Sequence, residues 1–217
     1  PKVLFYEDVF AANAAALEGT CPVKTFVVLG GESQQGHPAY DELLSRQPDT
    51  LVACDALELE DIHLIIHTGG TTGLPKGGLV SHRSELFNSF NEICTWGLSY
   101  SDSAVILLPL FHTGGWNLLT LPLLHAGGKL YLSRVYDPKQ TLEVIQRERT
   151  TCLFGAATIF RMMVECSEFK DADLSSLRWI MAGAAPTPIN IMQEFWNKGV
   201  KFVLGYGTTE AGPNNLS

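Results

Sequence analysis

"IIHTGGTTGLPKGGLVSHRS", residues 65–84, decides how the rest of the chain is read. The apolar pair Ile65 and Ile66 gives way to small and hydroxylated residues, then a proline and a lysine, and helical spacing begins only after Ser81. The order predicts a buried strand, a loop and a helix. In that loop Gly69, Gly70 and Gly73 permit close approaches that a side chain would block, so successive N–H groups can converge on an anion. Thr68, Thr71 and Thr72 add hydroxyl donors, and Lys76 adds a full positive charge. Those are the parts of a phosphate cradle. Two better-known cradles do not fit. The Walker pattern needs Gly-Lys-Ser/Thr in succession, whereas Lys76 lies three residues beyond Gly73. The dinucleotide fingerprint needs Gly-x-Gly-x-x-Gly after its strand, and "GGTTG" lacks that spacing.

Outward from this loop, short apolar runs alternate with helical patterns. Strands are predicted at 3–6, 25–29, 64–67, 104–109, 129–132, 152–154, 179–182 and 201–204. Leu86, Phe90 and Ile93, with Phe87 and Cys94 beside them, form one apolar stripe after a Ser81 cap. Asp137 before Pro138 and Thr187 before Pro188 each place a capping side chain ahead of a proline in a first helical turn. Such regular alternation predicts βαβ units and an α/β fold, a doubly wound, mostly parallel sheet flanked by helices.

Composition narrows the function classes. The 217 residues are 46% hydrophobic, enough for a substantial core, and carry a net charge of -8 with both signs interspersed. Nucleic-acid binding, which needs a concentrated basic patch, is not expected. Cys21, Cys54, Cys94, Cys152 and Cys166 sit singly, without the short pairs of zinc or redox motifs, which points to a reduced, cytoplasmic protein. No basic leader opens the chain. The apolar stretch 104–132 is broken by Pro109, His112, Gly114, Gly115, Asn117 and Pro122, so it lacks the ~20 apolar residues of a spanning helix.

"TGGTTGLPKGGLVSH" resembles the phosphate-binding signature of the adenylate-forming, AMP-binding superfamily, which includes acyl-CoA synthetases, luciferases and peptide-synthetase adenylation domains. "GYGTTEAG" (205–212) is similar to that family's adenine and magnesium motif, and "LPLFHTGGWN" and "MAGAAPTP" match further segments in the family's order. The resemblance covers essentially the whole chain but only part of the family's length. It implies a partial large domain, with 1–62 the end of one subdomain and 63–217 the phosphate-loop and adenine-binding portion. The ribose motif, hinge and C-terminal lid with its lysine are not matched, so a middle portion of a longer enzyme is expected.

What the resemblance implies can be assigned residue by residue. Thr68, Gly69, Gly70, Thr71, Thr72, Gly73 and Lys76 would hold the β- and γ-phosphates of ATP, with Gly69 standing where the family usually has serine. Gly183, Ala184 and Ala185 would border adenine on one side, and Tyr206, between Gly205 and Gly207, would lay its ring against the other. Leu204 replaces a polar amide common in relatives, so no adenine hydrogen bond is assigned to it. Thr208 and Thr209 would face the nucleotide, Thr209 near the α-phosphate, and Glu210 would share Mg2+ with phosphate oxygens. His112 would border the substrate carboxylate, and Phe111 and Trp116 would line the acyl or CoA path.

The implied chemistry is activation of a carboxylic acid, fatty acids foremost, by ATP to an acyl-adenylate, followed by thioester formation with coenzyme A. Lys76, His112, Thr209 and Glu210 would carry it by positioning and charge neutralisation, with no protein nucleophile. A peptide-synthetase-like or luciferase-like adenylating enzyme, and an ATP-binding module without activity, are the alternatives. "LPLFHTGG" favours a CoA ligase over the first. The 217 residues alone are expected to be inactive.

Overall fold

The computed structural model describes residues 1–34, 36–69 and 73–216. The chain divides into two compact units, Pro1–Asp55 and Ala56–Ser217.

In the first unit, β1 (Val3–Glu7) and β2 (Thr25–Leu29) pair in parallel, joined through α1 (Ala11–Leu17). Alternation along the strands turns Tyr6, Phe26 and Val28 inward onto Ala14, while Phe5 on the opposite face is exposed. The buried His37 ring stacks on Phe26 and accepts or donates a hydrogen bond with the Tyr6 hydroxyl at 2.6 Å. A short helix, α2 (Tyr40–Ser45), follows.

The second unit opens with β3 (Ile62–Thr68) and β4 (Lys76–Ser81), and here the structure corrects the sequence. The glycine-rich loop does not lead from a strand into a helix. It joins two antiparallel strands, with Thr68 facing Lys76, Ile66 facing Gly78 and Leu64 facing Val80. The physical reason lies just beyond the lysine: "GGLVS" can pleat, its glycines letting the strand lie close over Ile65 and Ile66, so a second strand stands between the loop and the helix. That helix, α3 (His82–Trp96), starts as expected after Ser81, whose hydroxyl accepts from the Ser84 N–H at 3.2 Å.

The remaining strands form one parallel sheet. They are β5 (Ser103–Ile106), β6 (Lys129–Leu132), β7 (Cys152–Ala156), β8 (Trp179–Gly183) and β9 (Phe202–Leu204), in the spatial order β6-β5-β7-β8-β9. The expected strand over 104–109 stops at Ile106, because Pro109 turns the chain, its carbonyl accepting from the His112 N–H at 3.1 Å. Each parallel connection carries a helix: α6 (Pro138–Glu148), α7 (Ala157–Glu165) and α8 (Ile189–Asn197). Asp137 caps α6 as expected, accepting from the Gln140 N–H at 2.7 Å. The cap at Thr187 does not form. Pro188 itself is the N-cap residue of α8, and the Thr187 hydroxyl is buried without a partner.

Strict alternation sorts the strand side chains onto two faces. Val105, Leu153, Ile180 and Phe202 join α6, α7 and α8, where Phe160, Phe169 and Phe195 pack edge to face with ring centroids 5.1–5.6 Å apart. Ala104, Ile106, Cys152, Phe154, Trp179 and Met181 pack on the opposite side against Leu118, Leu119 and Leu123. Fully buried side chains of this size contribute about 1.5–3 kcal/mol each. Both faces are covered, so the sheet is doubly wound. The expected strand and helix alternation is therefore realised, with the β3–β4 hairpin as one of two antiparallel exceptions.

The second face is covered by an irregular run: α4 (Thr113–Gly115), a π turn over Trp116–Thr120, and α5 (Leu121–His125). Pro122 has no N–H for the Leu118 carbonyl and would crowd it in a regular helix. The π turn widens the backbone there, and the Leu121 N–H bonds back to the Trp116 carbonyl. Gly115 must lack a side chain, because a Cβ there would lie 2.1 Å from the Pro109 carbonyl oxygen. The chain ends in a second antiparallel hairpin, β10 (Tyr206–Thr208) and β11 (Gly212–Leu216).

Candidate active site

The chain passes from β5 outward to β6 and then returns across β5 to β7, so the winding of the sheet reverses between β5 and β7. Open α/β sheets bind ligands outside the carboxyl ends of the strands at such a reversal. A cavity of about 240 Å³ lies there. Leu108 and His112 enter it after β5, Phe154 from the middle of β7, Gly183 and Ala184 from the end of β8, and Gly205 and Gly207 after β9. Thr113, Thr208 and Thr209 place hydroxyl-bearing side chains in the same wall.

Local geometry prepares several of these groups. The Nδ1 of His112 accepts the Gly114 N–H at 3.0 Å, which leaves the ring proton on Nε2 as a donor. Ala184 has φ +67, the left-handed region that costs a residue with a Cβ about 1–2 kcal/mol. A non-glycine residue held there beside a cavity is the kind of local strain that surrounding structure must enforce. Gly207 allows β10 to lie against β11, since a Cβ would come within 2.1 Å of the Pro213 carbonyl oxygen.

A second cavity, of about 660 Å³, adjoins the first and shares Thr113, Thr209, Pro213 and Asn214 with it. Its far wall is α3. Here the expected apolar stripe is overturned: α3 turns Glu85, Ser89 and Glu92 inward, while Phe87 and Phe90 are about half exposed and pack edge to face on each other. The Glu85 carboxylate makes the inward polar face stable by accepting from the Asn117 amide at 2.8 Å, the Trp116 indole at 3.2 Å and His63. Trp116 is thus committed to Glu85, and Phe111 is exposed; neither is among the described residues that line these two cavities. Glu92 has no such partners. Its Oε1 is buried and unbonded, and burial pushes its carboxyl up to about 9.

Three of the four sequence segments therefore meet: His112, Gly183–Ala184 and Gly205–Thr209. The fourth approaches through its stem. A Cβ on Gly78 would lie 3.3 Å from the Thr209 methyl, and the period of two along β4 puts Lys76 on the same face as Gly78. Lys76, Thr68, Gly69 and Gly73 do not line either cavity, and Gly70, Thr71 and Thr72 lie outside the described residues. Tyr206 and Ala185 also stand outside the walls, Tyr206 with 63% of its surface exposed, and Glu210 lies at the edge of the larger cavity. Thr113, Asn214 and the polar face of α3 were not singled out from the sequence. Thr113 sits inside the "FHTGG" segment and was a legible signal; Glu85, Asn88 and Glu92 recur at helical spacing, but so does the apolar set on the same helix, and the spacing alone does not say which face turns inward. Among the described residues no cluster of three or more His, Cys, Asp or Glu is placed to hold a metal, and no helix is long and apolar enough to cross a membrane.

A family model, that of the AMP-binding enzymes, matches residues 1–216. The chain belongs to the AMP-binding enzyme family. Among curated members of the family it is 36% identical over 213 residues to the indoleacetate–CoA ligase of Aromatoleum aromaticum, covering 98% of this chain and 42% of that one. It is 35% identical over 158 residues to a feruloyl-CoA synthase of Amycolatopsis, covering 73% of this chain and 32% of that one. Among solved structures, the anthranilate CoA ligase AuaEII in complex with anthranoyl-AMP superposes with a TM-score of 0.84 at 27% identity, over 96% of this chain and 41% of that one. The chain thus spans about a third to two fifths of the length of these family members. The resemblance read from "TGGTTGLPKGGLVSH" and "GYGTTEAG" and the expected fold class both hold.

Proposed function

We propose that the protein activates a carboxylic acid with ATP, forming an acyl-adenylate and pyrophosphate, and then transfers the acyl group to the thiol of coenzyme A with release of AMP. The observation that carries this is the meeting of His112, Gly183–Ala184 and Gly205–Thr209 around one cavity at the strand ends, in a member of the AMP-binding enzymes.

Gly183, Ala184, Gly205 and Gly207 offer a flat backbone wall to adenine, and Tyr206, exposed beside it, offers a ring face. Thr209 donates to the α-phosphate, and the Nε2–H of His112 donates to the acid carboxylate, holding its oxygen toward phosphorus. Positioning of this kind converts two bound substrates into an effectively unimolecular reaction. Lys76 and the loop 68–73 take the departing phosphates, with the lysine offsetting charge as the α–β bridge breaks. Glu210, which lines the larger cavity, would hold Mg2+, in keeping with an ion that needs only one or two protein carboxylates. When bound, the ion supplies charge neutralisation on the phosphates.

The acid is a fatty acid by resemblance, and a long-chain-fatty-acid–CoA ligase of Bacillus subtilis is among the relatives, at 34% identity over 158 residues. The described cysteines are all free thiols, in keeping with the reducing environment of a cytoplasmic enzyme. The test is acid-dependent exchange of labelled pyrophosphate into ATP by the protein in its natural length, followed by addition of coenzyme A. Exchange and thioester with at least one of a panel of aliphatic and aromatic acids is expected. Absence of acid-dependent exchange across the panel would remove this function.

A further inference from the structure

We propose that the acid carries a hydroxyl group on its body, away from the carboxylate, and that Glu92 is the side chain that recognises it. This rests on the acid-activating function proposed above and adds the chemistry of the acid. If His112 and Thr209 hold the carboxylate and the α-phosphate, the body of the acid must pass the shared residues Thr113, Thr209 and Asn214 into the larger cavity. Its 660 Å³ falls within the usual range for a small-molecule site.

The wall it meets is mixed: Leu79, Val80 and Phe87 offer apolar surface to the body of the acid, but α3 also presents Asn88, Asn91, Glu92 and Thr95, which a plain alkyl chain would leave without polar partners. The Asn88 amide nitrogen is already committed to the Asn117 carbonyl at 2.7 Å. Glu92 is not: it is only 3% exposed, and its Oε1 has no hydrogen-bond partner. The Asn214 Oδ1 is a second buried, unbonded oxygen, on another residue that lines the same space. Buried polar atoms are nearly always bonded, so two bare oxygens on residues of one cavity wall mark where a ligand donor belongs. Burial keeps the Glu92 carboxyl neutral at physiological pH, so it offers one donor and one acceptor. A hydroxyl matches that pair, accepting from the acid proton and donating to a bare oxygen. A methylene in its place would leave both oxygens unpaired, the situation in which binding sites discriminate most strongly.

The experiment uses the protein in its natural length and matched acids: hexanoate with its ω-hydroxy and ω-amino derivatives, and phenylpropanoate with its para-hydroxy derivative. Binding is read by calorimetry and adenylation by acid-dependent pyrophosphate exchange. Within at least one set the hydroxylated acid is expected to bind about tenfold or more tighter than its parent. Glu92→Leu should abolish or reverse that preference, and Glu92→Gln, which keeps a donor and an acceptor, should retain most of it. Equal binding of parent and hydroxylated acids, tighter binding of the amino derivative, or an unchanged preference in Glu92→Leu would each overturn the inference. Exchange that runs equally on the parent acids would overturn it while leaving the adenylating function intact. A hydroxyl preference in binding without any exchange would support it and remove that function. No binding by any acid would overturn both.

Discussion

Glu85 and Glu92 stand two turns apart on the same face of α3, equally buried, and their surroundings are opposite. Glu85 has three donors, and truncating it to alanine would strand the Asn117 and Trp116 groups as well as remove the carboxylate. Glu85→Ala is expected to cost about 2–4 kcal/mol in urea unfolding, with Glu85→Gln costing less. Glu92 works against the fold as the solution becomes less acidic. Its carboxyl rises from an ordinary 4.5 to about 9, so between those values the folded state holds a proton that the unfolded state has lost. Its contribution to stability is fully present below 4.5 and falls by up to about 1.4 kcal/mol per pH unit as pH rises toward 9. Glu92→Gln should flatten that decline, and denaturation profiles at pH 5, 7 and 9 that are parallel for both proteins would contradict the account. Neither fate was legible in the sequence. Periodicity shows that α3 has two faces, but its apolar stripe lost to a polar one because Glu85 had partners waiting in the π turn, and those come from residues some thirty positions away.

At the level of elements, the amino end of the sheet is held by one clamp. Asp102, 3% exposed, accepts from Arg178 at 2.6 Å and from the Thr151 hydroxyl at 2.8 Å, while Arg178 also reaches the Gly97 and Trp96 carbonyls at the end of α3. Burial pushes the Asp102 carboxyl up, but Arg178, Thr151 and the Ser99 N–H outweigh it and hold the group below the usual aspartate range. The sign is the reverse of Glu92: this stability is present above 3.8 and is lost as pH falls through the lowered value. Arg178→Ala leaves the carboxylate buried and short of its cation. Allowing for the 45% exposure of Arg178, the expected loss at neutral pH is about 2–3 kcal/mol, shrinking in acid. The π turn supplies a second test. Gly115→Ala drives a methyl onto the Pro109 carbonyl and should cost about 3 kcal/mol, whereas a loss below about 1 kcal/mol would mean the close approach relaxes freely. Elements with local signals were legible: Ser81 and Asp137 caps, and strands such as 129–132, follow from neighbouring residues. The β3–β4 pairing was not, because a glycine-rich turn reads alike whether a helix or a second strand follows it.

For the whole molecule, parallel sheet and candidate site were legible together, since alternating strands and helices place every strand-to-helix loop at one end of the sheet. The polarity of the larger cavity was not, because it depends on which way α3 is rolled. Two residues of the proposed nucleotide site are open to solvent or stand apart: Tyr206 is mostly exposed and Lys76 lies outside both cavities. The 217 residues by themselves are therefore expected to bind Mg-ATP weakly and not to sustain turnover, because water is not excluded from the reacting groups. Sustained, acid-dependent AMP production by this chain with Mg-ATP and coenzyme A would contradict that.

The smaller cavity takes its wall from residues 108 to 214, delivered by β5, β7, β8 and β9, whose successive connections carry whole helices, and by the β10–β11 hairpin. A ribosome releases those segments one after another. While β5 and the His112 segment are already outside the exit tunnel, the edge where β7 will dock is bare, and the β10 and β11 residues that close the opening are still being synthesised. The proposed site in the nascent polypeptide is thus completed only when its last wall residues emerge, rather than built up along the way. Arrested chains stopped before residue 205 should expose sheet edges to chaperones and retain no nucleotide, however well their earlier helices have formed.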